Sequence, residues 1–122
     1  MMAIHYRFIQ PDDLLIVKAW GHDDSLEDAR NYNRAVKQEA EKHGCTKVLA
    51  DERELEYRLS VIDTYKLAED LAELVNHLTK IAVVTHEANQ EAADFWENVA
   101  ANRGLRARVF YDYDQALEWI MD

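Results

Sequence analysis

The sequence predicts an α/β fold: a mixed, mostly parallel five-stranded sheet flanked by helices, in the order β-β-α-β-α-β-α-β-α. Three observations predict it. First, residues 80–122 read as strand, helix, strand, short helix, and two strands joined by one crossover helix pair in parallel. Second, the first twenty residues hold two strand patterns separated only by Gln10-Pro11-Asp12-Asp13, the spacing of an antiparallel hairpin. Third, with one proline and three glycines the chain is nearly all regular structure, with no repeat, low-complexity tract or linker.

Taken in order, Ile4, Tyr6 and Phe8 alternate with His5 and Arg7, the period of a half-buried strand. Pro11 and the two aspartates form a turn, and Leu14–Trp20 is the second strand. Gly21-His22-Asp23-Asp24 breaks the pattern. Ser25, with Asp28 three residues on, caps a helix whose inward stripe is Ala29, Tyr32, Val36 and Ala40, and Gly44 stops it. Lys47–Asp51 is a short strand, and the irregular Glu52–Leu59 reads as a loop.

Ser60 and Asp63 make a second capping box, opening a helix that runs to about His77. Leu67, Leu71, Leu74 and Leu78 mark one face of it, and Ala68, Ala72 and Val75 widen that face. So broad a stripe predicts a helix packed on more than one neighbour. Lys80–Thr85 is nearly all apolar, as a central parallel strand should be. Ala92, Phe95, Trp96 and Val99 line the next helix, which Gly104 closes. Arg108–Tyr111 is the last strand. Asp112 caps the final helix, whose inward residues are Ala116, Leu117 and Ile120.

The 122 residues read as one domain, 1–122, and at 48% hydrophobic they suffice for a core. The net charge of -10 speaks against nucleic acid, whose phosphates need a basic face, and against anionic membrane surfaces. A lone cysteine, Cys45, fits a reducing compartment. The N-terminal MMAIHYRFIQPDD has no basic region leading into a long apolar one, and no apolar run is long enough to span a bilayer. The expectation is a soluble cytoplasmic protein without a transmembrane segment.

No GxSxG, P-loop or GxGxxG is present, so neither an enzyme nor a cofactor is expected. The five histidines are scattered, none with a ligand partner at i+4, and no metal site is expected. His43-Gly44-Cys45 could mark an activated thiol, but a small apolar core residue is the simpler reading. Open parallel sheets bind ligands beyond the carboxyl ends of their strands. Asp51-Glu52-Arg53, Thr85-His86-Glu87 and Tyr111-Asp112-Tyr113 should meet there, near Tyr57, Arg58 and Ser60. Asp51, Arg53, Tyr57, Ser60, His86 and Trp96 are therefore the candidate binding residues, and Asp51, Arg53 and His86 would be the working set of a small hydrolase or transferase. Asp12-Asp13, Asp51 and Thr85 resemble the acidic and hydroxyl positions of a phospho-accepting receiver. A strand follows the acidic pair, however, and the expected lysine after the fifth strand is absent. Trp96 beside Phe95, and Trp119 beside Ile120, cannot all face one core; a ligand groove or a homodimer face would take the remainder.

The run Lys80-Ile81-Ala82-Val83-Val84, a helix, Arg108-Val109-Phe110, and the closing Asp114-Gln115-Ala116-Leu117-Glu118-Trp119-Ile120 resemble the SpoIIAA-like (STAS-like) superfamily of small bacterial proteins. The resemblance implies a non-catalytic regulatory or binding domain whose partner is a protein or a small hydrophobic ligand. Anti-sigma-factor antagonists of that superfamily are phosphorylated on a serine where the loop after the third strand enters a helix, and Ser60 stands at the similar place. The Asp-Ser-Ser-Gly-type motif is replaced here by Arg58-Leu59-Ser60-Val61. A second branch resembles lipid-transfer domains, which the broad apolar face of the Ser60 helix suits.

Overall fold

The structure, a computed structural model, describes residues 3–75 and 77–122. Its elements are β1 (Ile4–Ile9), β2 (Leu14–Asp23), α1 (Leu26–Lys42), β3 (Lys47–Tyr57), α2 (Val61–Leu74), β4 (Lys80–Val84), a 3-10 turn (Glu87–Asn89), α3 (Gln90–Asn102), β5 (Ala107–Phe110) and α4 (Tyr113–Met121). This is the predicted order. Met1 and Met2, part of the stretch read for a leader, and Asn76, within the helix read as reaching His77, lie outside the described residues.

The sheet runs β1-β2-β3-β4-β5 in sequence order, β1 antiparallel to β2 and the other pairs parallel. Three successive crossovers thus step one strand in the same direction. Right-handed crossovers then set every connecting helix on the same face. The layers follow: α1, α2 and α3 share one face, and only the terminal α4 folds back onto the other, over β3, β4 and β5. The larger core cluster lies under α1–α3 and includes Leu15, Val17, Val48, Ile81 and Val83. The smaller, under α4, joins Leu14, Leu49, Ala82, Val84 and Phe110 to Ala116 and Ile120. Neighbouring residues of one strand go to opposite clusters, as the pleat requires.

The caps fall where the sequence placed them. Ser25, Ser60 and Asp112 accept the backbone N–H of Asp28, Asp63 and Gln115, respectively. Three boundaries differ. α2 ends at Leu74 rather than near His77, because its cap residue Val75 leaves the helical conformation. Gly21-His22-Asp23 does not end β2 but extends it, because Gly21 adopts φ 100°, closed to most side chains, and a Cβ there would strike the Ala3 carbonyl. Glu52–Leu59 is not a loop. Most of it is strand, hidden by a bulge: Lys18 pairs with Asp51 but Trp20 with Glu54, so β3 carries one extra residue. The apolar alternation of Val48 and Ala50 therefore resumes out of phase at Leu55 and Tyr57, all four on the α1–α3 face.

Candidate functional site

α2 packs against α1 on one side and α3 on the other, and stands off the sheet. Its edges are tied by Arg30 to Asp70, 2.6 Å, from α1, and by Arg103 to Glu69 and Tyr65 from α3. Beneath it lies an elongated cavity of about 100 Å3 that follows β3 from Val48 to Tyr57. Val36 of α1, Leu67, Leu71 and Val75 of α2, Ile81 and Val83 of β4, Trp96 of α3 and Val109 of β5 make most of its wall. This arrangement accounts for the broad stripe of α2: the helix touches two helices and the cavity as well as the core it shares with the sheet.

Polar groups gather at one end. Glu52 continues the alternation of Val48 and Ala50 onto the inner face, just before the bulge shifts the phase, and is only 9% exposed. Tyr32 Oη donates to its Oε2 at 2.9 Å and Tyr57 Oη to its Oε1 at 2.5 Å. Burial pushes the Glu52 carboxyl up to about 7 against the pull of the two hydroxyls, and Asp23 and Asp51 add to the rise. Both phenols lie well above their ordinary range, chiefly through burial and then through the Glu52 charge. Asp23, at the end of β2, also faces the cavity. Burial lifts it to about 6, although its carboxylate accepts the Arg58 N–H. Asn89 of the 3-10 turn braces the end of β3: its amide donates to Leu55 O at 2.9 Å and Thr85 Oγ1 at 3.1 Å, and it accepts the Tyr57 N–H.

Among the described residues, no group of three or more His, Cys, Asp or Glu could hold a metal ion, and no helix is long and apolar enough to cross a membrane. A family model described as SpoIIAA-like matches residues 15–121. The chain belongs to the SpoIIAA-like family. Solved structures agree on the fold. An anti-sigma factor antagonist from Mycobacterium paratuberculosis superposes with a TM-score of 0.69 at 17% identity, covering 98% of this chain and 95% of its own. The anti-sigma factor antagonist SpoIIAA in its unphosphorylated form gives 0.61 at 6% identity over 96% of each chain. An uncharacterized protein with a SpoIIAA-like fold from Shewanella loihica gives 0.55 at 22% identity, over 98% of this chain and 95% of its own. Among curated proteins, none matches the sequence.

In this SpoIIAA-like chain the sequence-derived candidates separate into groups. Tyr57 and Trp96 line the cavity. Asp51 and Arg53 belong elsewhere: Asp51 lies between the inward Ala50 and Glu52 and so faces the opposite side of the sheet, where it accepts from Arg53 Nε at 2.9 Å and Nη2 at 2.8 Å. The Arg53 guanidinium lies 5.2 Å from the Tyr113 ring centre. His86 is exposed, and its Nδ1 accepts the Ala88 N–H to cap the 3-10 turn. Ser60 is exposed at the cap of α2. The sheet in sequence order has no point where the strand order reverses. Cys45 is buried, and burial raises its thiol, the opposite of activation. His22 Nδ1 lies 2.9 Å from Asp24 without hydrogen-bond alignment.

Sequence reasoning did not single out Glu52, Asp23 and Tyr32 as a group. Two acids in strands that are otherwise buried are a signal in principle. It becomes readable only after the bulge is known, since without it Glu52 belongs to a loop.

Proposed function

We propose that this SpoIIAA-like protein is a non-catalytic binding domain whose ligand is a small apolar molecule held between α2 and the sheet. The observation that carries the reading is the cavity itself. A close-packed interior leaves few voids larger than a water molecule, and this one, about 100 Å3, is mostly apolar and lies beneath a helix held at its edges by exposed ion pairs. A cavity of comparable size, about 150 Å3, takes benzene. Native mass spectrometry of the protein as purified, followed by thermal melts with apolar compounds of that size, tests it. Ligand at a hundredfold excess over Kd should stabilise the fold by about 2.7 kcal/mol. A melt unmoved by every such compound would remove the reading.

A second reading, recognition of a protein partner, is favoured by the first turn of α2. Val61 and Ile62 are 68% and 67% exposed, with Tyr65 beside them, and they adjoin Ser60. Two of the similar solved structures are anti-sigma factor antagonists. Ser60→Ala should cost the helix cap, about 1 kcal/mol, measured by urea unfolding. Loss of partner capture beyond that cost would assign Ser60 a regulatory role; unchanged capture would leave it a cap.

A further inference from the structure

We infer that the ligand of this cavity is a short-chain primary amine, its hydrocarbon part along β3 and its ammonium group between Glu52 and Asp23. The inference rests on the reading of the cavity as a ligand site and adds the chemistry of the head group. The acidic side chains facing the space are Glu52 and Asp23, and among the described residues its wall contains no lysine, arginine or histidine. A fatty carboxylate would therefore meet two acids and no cation, in an interior where water cannot screen the repulsion. An amine would meet the reverse.

The acceptors also have capacity to spare. Each Glu52 oxygen takes one tyrosine hydroxyl, and an ionised carboxylate offers about four lone-pair sites. The two hydroxyls fix its orientation, so the head group would find a carboxylate already positioned. An ammonium ion would bring the charge that a buried acid pair otherwise lacks. The groups facing Glu52 are Tyr32 from α1, Asp23 from β2 and Tyr57 from β3, and the Asp51 charge acts on it from the other face of β3. α2 contributes the uncharged Thr64 and α3 the uncharged Trp96 to the cavity wall. Binding should accordingly strengthen as Glu52 and Asp23 ionise, near pH 7 and pH 6.

The test is calorimetric titration of the whole protein with 1-hexylamine, 1-hexanol and hexanoate at pH 8 and pH 5.5. At pH 8 hexylamine should bind at least about tenfold tighter than hexanol, with hexanoate weaker still. Hexylamine should lose about tenfold or more at pH 5.5, as its carboxylate partner takes up a proton. Glu52→Gln removes the charge, keeps one tyrosine hydrogen bond through the amide oxygen and can reverse the other, its N–H donating to the hydroxyl oxygen; it should bring hexylamine down to about the level of hexanol. Hexanoate or hexanol binding as tightly as hexylamine, or a Glu52→Gln protein that keeps full amine affinity, would overturn the amine assignment and leave the cavity a ligand site. No binding by any of the three would remove both.

Discussion

Lys80 shows how one residue can join two layers. It opens β4 and is 8% exposed, a rare state for a lysine. Its ammonium donates to the main-chain oxygens of Trp119 and Asp122, both at 2.9 Å, and lies 5.0 Å from the Trp119 ring centre. Those oxygens belong to the C-terminal end of α4, the negative end of its dipole. The lysine therefore holds the terminal helix against the sheet. Lys80→Met keeps the aliphatic stem and removes the donors. It should destabilise the fold by about 1.5–3 kcal/mol, the range for hydrogen bonds to a charged group, read as a lower urea midpoint. A change under about 0.5 kcal/mol would mean that α4 docks through its apolar side chains alone. The sequence displays Lys80 only as the first letter of an apolar strand, because its partners are backbone atoms forty residues away.

At the scale of elements, α2 is the part least committed to the sheet. Leu71 is buried, yet it borders the cavity as well as its neighbours. Leu71→Ala should cost about 2–3 kcal/mol, toward the low end for buried leucines because packing there is already incomplete. The same change should enlarge the cavity, so that ligands longer by one or two carbons gain affinity relative to short ones. Equal losses for all lengths would show that Leu71 does not bound the ligand space. The predicted elements agree with the structure wherever a local rule governs: the capping serines, the 3.6-residue stripes of α1 and α2, the apolar run of β4. They fail at β3, where one extra residue shifts the phase of alternation and a strand looks irregular. Glu52 keeps the inward phase of Val48 and Ala50, but the bulge just after it made the segment look like a loop, so the feature that hid the strand also hid the site. The fold was legible because its signals are periodic. The cavity was not, because it depends on how far α2 stands from the sheet, a distance no periodicity encodes.

For the molecule as a whole, two buried acids set the pH dependence of stability. In the native state Glu52 titrates near 7 and Asp23 near 6, against ordinary values of 4.5 and 3.8. Across that window the folded protein holds protons that the unfolded chain has released. Stability must then fall as pH rises from about 4 to above 7. The cost of ionising Glu52 in place is on the order of 3 kcal/mol, and the self-repulsion of a net charge of -10 acts in the same direction. The opposite slope belongs to more acid conditions. Asp51 is held below its usual range because the bonds from Arg53 outweigh its burial, and Asp13 is held low by the hydroxyl and N–H of Thr46. Both lose their stabilisation as pH drops through their lowered values. The urea-unfolding free energy should therefore peak at about pH 4 rather than at neutrality. Glu52→Gln should be more stable than the native protein at pH 8, by on the order of 1–3 kcal/mol, with the difference shrinking as pH falls and vanishing below about pH 4, where Glu52 is protonated in both folded and unfolded states. A native protein whose stability rises from pH 5 to pH 8, or a variant with a constant offset across that range, would show that Glu52 is ionised in the fold without penalty, with a cation or water supplying what the described side chains do not.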